Sequence, residues 1–125
     1  MSRILLIDDE DMTRNMLRQA LELKGYEVHE ASNGLEALRL QRETPCSLVI
    51  TDILMPEKEG LETIVELRSE CPDLKIIAMS GGGSAGKLNF LDAAGKLGAQ
   101  ATLQKPFELE KLFKTVKSLM EAESA

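Results

Sequence analysis

The run Ser47-Leu48-Val49-Ile50-Thr51-Asp52 constrains the fold most. It is nearly all apolar, without polar alternation, and turn chemistry follows it at Pro56 and Gly60. A short run of this kind suits a strand buried on both faces, as in a parallel sheet. Its one carboxylate, Asp52, then sits at the carboxyl end of a central strand. In open α/β sheets that edge is where ligands bind.

The rest of the chain repeats the theme. Arg3-Ile4-Leu5-Leu6-Ile7 is a second apolar run and delivers the acids Asp8-Asp9-Glu10-Asp11. A helix follows over Met12 to Lys24, with Met16, Leu17, Ala20 and Leu21 on its apolar stripe and Gly25 as its stop. Tyr26 to Glu30 alternates and reads as a strand nearer an edge, with His29 on its solvent side and no evident partner. Asn33 followed by Glu36 is a helix-start signature. A third helix is expected over Glu59 to Ser69, with Leu61, Ile64, Val65 and Leu67 inward. Leu74 to Met79 is a fourth strand ending in Ser80. A glycine-rich loop, Gly81 to Gly86, leads into a weak helix over residues 87–97, with Gly95 inside it. Ala101-Thr102-Leu103 is a short fifth strand ending near Lys105-Pro106, and the last helix carries Leu109, Leu112, Phe113, Val116, Leu119 and Met120. Five strands alternating with five helices argue an α/β fold, a doubly wound parallel sheet covered on both faces. The chain reads as a single domain over residues 1–125.

All strand carboxyl ends of such a sheet lie along one edge. That edge gathers Asp8 and Asp9, Asp52, Ser80 and Lys105. Three carboxylates in one pocket repel, so either one is protonated or a cation binds. Oxygen donors with open positions suit Mg²⁺. Lys105 and the Ser80 hydroxyl would meet phosphoryl oxygens, and Asp52 would be the nucleophile. Phosphoryl transfer needs mainly positioning and charge neutralisation, so this short set of groups is enough.

These residues and their spacing resemble the response-regulator receiver domain of two-component signalling. The matching pieces are Ile4-Leu5-Leu6-Ile7-Asp8-Asp9-Glu10, Asn33-Gly34-Leu35-Glu36-Ala37-Leu38, Asp52-Ile53-Leu54-Met55-Pro56, Ser80, Gly98-Ala99 and Lys105-Pro106-Phe107. The resemblance spans essentially the whole chain. It implies a flavodoxin-like fold with strand order 2-1-3-4-5, and phosphorylation of Asp52 by a sensor histidine kinase or phosphotransfer protein. It assigns Asp8 or Asp9, or both, to Mg²⁺ together with Asp52 and the backbone carbonyl of Leu54. It assigns Ser80 and Lys105 to the phosphoryl oxygens. It also implies a phosphoacceptor that assists its own phosphorylation and dephosphorylation rather than an enzyme acting on external substrates.

One position departs from the family. Three residues before the lysine, where an aromatic switch residue is usual, stands Thr102. The response is therefore expected from ordering of the Ser80–Gly86 loop and a shift of the next helix, with a downstream protein or a second copy docking on residues 87–122. A phosphate-independent docking module with the same fold is the alternative.

Other classes fit less well. A net charge of −6 speaks against sequence-independent nucleic-acid binding. The apolar run at the start is too short for a signal peptide or a membrane span, so a cytoplasmic protein is expected. Cys46 and Cys71 have no close metal-ligand spacing and read as inert thiols. Gly81 to Lys87 fits a phosphate-binding loop, but Leu88 stands where a Ser or Thr is required. A Mg²⁺-dependent phosphohydrolase would carry a second carboxylate two residues after the nucleophile, and that position is Leu54. No output domain is expected after Ala125.

Overall fold

A computed structural model describes residues 3–53, 59–80, 95–96, 98–104 and 108–124. The elements are β1 (Arg3–Ile7), α1 (Asp11–Leu23), β2 (Glu27–Ala31), α2 (Gly34–Glu43), β3 (Leu48–Asp52), α3 (Glu59–Glu70), β4 (Lys75–Ser80), β5 (Ala101–Gln104) and α4 (Leu109–Ser124). The strands form one sheet in the order β2-β1-β3-β4-β5, and every neighbouring pair is parallel. This is the expected doubly wound fold. Four helices stand among the described residues. The expected helix over residues 87–97 lies mostly outside them, with Gly95 and Lys96 helical.

The continuous apolar runs do what a doubly covered sheet requires. β3 is buried at all five positions. Successive side chains of a strand point to opposite faces, and two cores result. Leu5, Ile7, Val49, Ile76 and Ala78 pack on one face with Ala37 and Leu38 of α2 and Ile64 and Leu67 of α3. Ile4, Leu6, Leu48, Ile50, Ile77, Met79 and Leu103 pack on the other with Leu17 and Leu21 of α1 and Leu112 and Val116 of α4. The buried residues form one stripe per helix, four apart in Leu17/Leu21 and Leu112/Val116, three apart in Ile64/Leu67, and in α2 the pair Ala37 and Leu38 between Gly34 and Gln41. Each fully buried Leu or Ile contributes on the order of 1.5–3 kcal/mol, so these stripes dominate helix placement.

Helix ends follow local chemistry. Gly25, at φ +96°, ends α1. Its N–H donates to the Glu22 carbonyl and the Tyr26 N–H to the Leu21 carbonyl, the paired bonds of a Schellman motif. At α2, Asn33 Oδ1 accepts from the Glu36 N–H at 2.8 Å, as the signature predicts. The Glu36 carboxylate reaches back one residue further than a capping box does, to the Ser32 N–H at 2.8 Å.

Three expectations need correcting. Met16 is 53% exposed and Val65 45%, so neither belongs to the core. His29 is partnered, with Nε2 2.6 Å from Glu27 Oε2. The two residues alternate onto the same side of the edge strand, where Arg3 Nε also donates to Glu27 at 2.8 Å. Hydrogen bonds from His29 and Arg3 hold the Glu27 carboxyl below its ordinary pKa.

Candidate functional site

The sheet register builds the site. Ile7 stands opposite Thr51, Thr51 opposite Ala78 and Asp52 opposite Met79. One residue past Ile7, Asp8 therefore enters the row of Asp52. The ladder runs slightly further, because the Ile53 N–H donates to the Met79 carbonyl at 2.9 Å. Ser80 ends β4 opposite Gln104 of β5 and is fully buried.

Carboxylate oxygens of Asp8, Asp9 and Asp52 lie within 4.8 Å of one another. Their environments differ. Asp8 is fully buried, Asp52 is 7% exposed and Asp9 faces solvent. Asp8 Oδ1 accepts from the Glu10 N–H at 2.9 Å, which aims that carboxylate. Concentrated anionic charge at a poorly solvated place calls for a counterion. The three carboxylate oxygens stand close enough together to share one small cation, and Mg²⁺ is bound through carboxylates with waters completing its shell. The hard oxygen donor set fits it as well.

Of the expected site residues, Asp8, Asp9 and Asp52 come together, and Ser80 ends the strand beside Asp52's own. Leu54 and Lys105 lie outside the described residues, as do the Gly81–Gly86 loop and most of residues 87–97. Thr102, at the departing position, is exposed on β5 opposite Ala78.

Sequence reasoning missed two features. Arg14 of α1 donates from Nη1 to the Asp8 backbone carbonyl at 2.6 Å. Its other nitrogens reach Asp11 Oδ1 at 2.7 Å and Glu30 Oε1 at 3.1 Å. The i,i+3 spacing of Asp11 and Arg14 signals that ion pair, but no side-chain pattern signals a bond to a backbone carbonyl. The second feature is an apolar line on the outside of α1. Met12, Met16 and Leu23 lie on one face of the helix and are 84%, 53% and 88% exposed. The line begins in the first turn, next to the acids.

Comparisons with known proteins agree with this architecture. The family model described as response regulator receiver domain matches residues 4–117. The chain is 40% identical over 120 residues to the sensor kinase CckA of Brucella abortus, covering 94% of this chain and 12% of that protein. It is 39% identical over 120 residues to the response regulator MprA of Mycobacterium leprae, covering 94% and 50%. A response regulator receiver domain protein from Clostridium thermocellum superposes with a TM-score of 0.90 at 30% identity, covering 99% of this chain and 98% of that one. The receiver domain of NtrX from Brucella abortus gives 0.87 at 27% identity, covering 94% and 98%.

The chain belongs to the response regulator receiver domains. Such domains are the phosphoacceptors of two-component signal transduction and generally bind Mg²⁺. The chain spans half the length of the MprA proteins it matches, and about an eighth of CckA. Among the described residues, no helix is long and apolar enough to cross a membrane.

Proposed function

We propose that Asp52 accepts a phosphoryl group from a phosphohistidine of a sensor kinase or phosphotransfer protein. The observation that carries this is the Asp52 carboxylate, which stands at the end of the central strand within 4.8 Å of the oxygens of Asp8 and Asp9. An Asp52 oxygen attacks phosphorus, the P–N bond breaks, and its electron pair leaves on the histidine nitrogen. The product is an acyl phosphate. Ser80 and Lys105 serve the phosphoryl oxygens as hydroxyl donor and cation. Asp8, Asp9, Asp52 and the Leu54 carbonyl would hold Mg²⁺, which supplies neutralisation of charge between carboxylate and phosphoryl group. The chemistry assists phosphorylation and dephosphorylation of the chain itself.

The exposed line of Met12, Met16 and Leu23 supports a helical partner lying along α1, since flexible methionines suit an adaptable apolar contact. Phosphorylation adds about −1.5 to −2 charges and three acceptor oxygens. With Thr102 in place of a ring, the response runs through the loop from Ser80 to Gly86 and the helix after it. A downstream protein or a second copy then docks on residues 87–122. The fold's place in the cell is the cytoplasm.

Intact mass after incubation with a small acyl phosphate and Mg²⁺ tests the reading. The wild type gains one phosphoryl mass and Asp52→Asn, nearly equal in volume, gains none. Equal labelling of both forms would remove Asp52 from its role. No labelling of either would favour the phosphate-independent docking module, for which Thr102 speaks.

A further inference from the structure

Among the described residues, Arg14 is the one cation on α1 that touches the backbone of the acid pocket. Its guanidinium makes three contacts, to the Asp8 carbonyl, Asp11 and Glu30, which belong to the end of β1, the start of α1 and the edge strand β2. The side chain is 15% exposed, so the fork is held largely away from water. Glu30 is itself braced, because Arg18 Nε lies 2.9 Å from its second oxygen, an ion-pair distance without hydrogen-bond alignment. A planar, five-donor fork fixes three acceptors in one geometry, which a lysine cannot do.

The bond to the Asp8 carbonyl matters because of what Asp8 does on its other side. Its carboxylate is buried, is aimed by the Glu10 N–H, and shares the 4.8 Å cluster with Asp9 and Asp52. Carbonyl and carboxylate are carried by the same Cα, so a carbonyl tied to α1 and β2 anchors the backbone from which the aimed carboxylate projects. We infer that Arg14 is a positioning residue for the metal site: it clamps the Asp8 carbonyl to α1 and β2, and so holds the buried carboxylate where a cation needs it. This rests on the Mg²⁺ reading above. It adds a role for the edge strand, since Glu30 orients the clamp.

Outer groups that orient metal ligands typically change affinity 10–100-fold when removed. The test is a Mg²⁺ titration followed by backbone amide shifts, on wild type, Arg14→Gln, Arg14→Lys and Glu30→Gln, with melting temperatures taken without metal. Arg14→Gln is expected to weaken Mg²⁺ by about tenfold or more. Arg14→Lys keeps the charge but loses the fork, and should weaken it nearly as much. Glu30→Gln, which leaves Arg14 in place, should give a smaller loss in the same direction. Arg42→Gln breaks a comparable Arg–Glu pair, with Glu70 at 2.6 Å, and should leave the affinity unchanged. A lower melting temperature with wild-type Mg²⁺ affinity in both Arg14 variants would make the role structural and overturn the inference. Wild-type affinity in Arg14→Lys alone would show that a single ammonium suffices and would overturn the three-way fork. A wild type that binds no Mg²⁺ would overturn the metal reading itself, and this inference with it.

Discussion

The side chain of Gln41 grips the Cys46 residue by both of its backbone polar groups. Gln41 Oε1 accepts from the Cys46 N–H and Nε2 donates to the Cys46 carbonyl, each at 3.0 Å. Gln41 is buried, and it closes the loop between α2 and β3 much as a strand partner would. Gln41→Leu keeps apolar volume and orphans both backbone groups. Leaving one buried group unpaired costs about 1–3 kcal/mol. A cleft lined by Gln41, Pro45, Cys46 and Cys71 opens beside these two backbone groups, so water can reach them once Gln41 is gone. The expected loss is therefore near the lower end for the pair, about 2 kcal/mol, read from urea unfolding.

Cys46 gives the pH dependence. Burial, the largest cause, pushes its thiol from 9.0 to about 11, with Arg3 lowering it and Glu27 raising it. A raised acid means the folded state resists ionisation. Its stabilising difference is whole below pH 9 and is lost as pH climbs from 9 to about 11. The gap in urea midpoint between wild type and Cys46→Ala should shrink across that window. A gap that stays constant from pH 8 to pH 11 would contradict the burial argument.

Asp9 is the exposed member of the acid cluster. Its removal should therefore spare the fold and tax the metal. Asp9→Ala is expected to melt within about 0.5 kcal/mol of wild type, as exposed substitutions do, and to bind Mg²⁺ more weakly by calorimetry. Phosphorylation from an acyl phosphate should slow in parallel.

The docking proposed for the outer face of α1 can be tested apart from the chemistry. Met16→Asp places a charge in the exposed line of Met12, Met16 and Leu23 without touching the carboxylates. Labelling by a small acyl phosphate should remain at the wild-type rate. Labelling by a phosphorylated histidine partner should fall roughly tenfold or more, the loss of one central apolar contact. Equal falls from both donors would place Met16 in the chemistry instead.

Much of this was readable in the residues themselves. The apolar runs before Asp8 and Asp52 are enough to place both carboxylates at the same sheet edge. The order of strands was not in the periodicity, since every parallel pairing of apolar runs satisfies burial equally; it came with the family resemblance. Met16 was misread because a 3.6-residue period marks apolar stripes and does not say whether the protein itself covers them. His29 is half-buried like its neighbours on β2, and its Glu27 partner two residues away follows only from strand geometry. Arg14 escaped notice because its most telling bond is to a carbonyl, which every residue carries.

Asp52 is only 7% exposed. In the proposed acyl phosphate, the opening that admits a phosphoryl group is also the way in for the water that would remove it. The groups at that rim then set how long a signal survives, and the strength of the bond has less to say about it. Exposed residues at that rim, Asp9 among them, then bear on the timing of the domain as well as on its loading. Two receivers with identical carboxylates can in this way hold their message for very different spans.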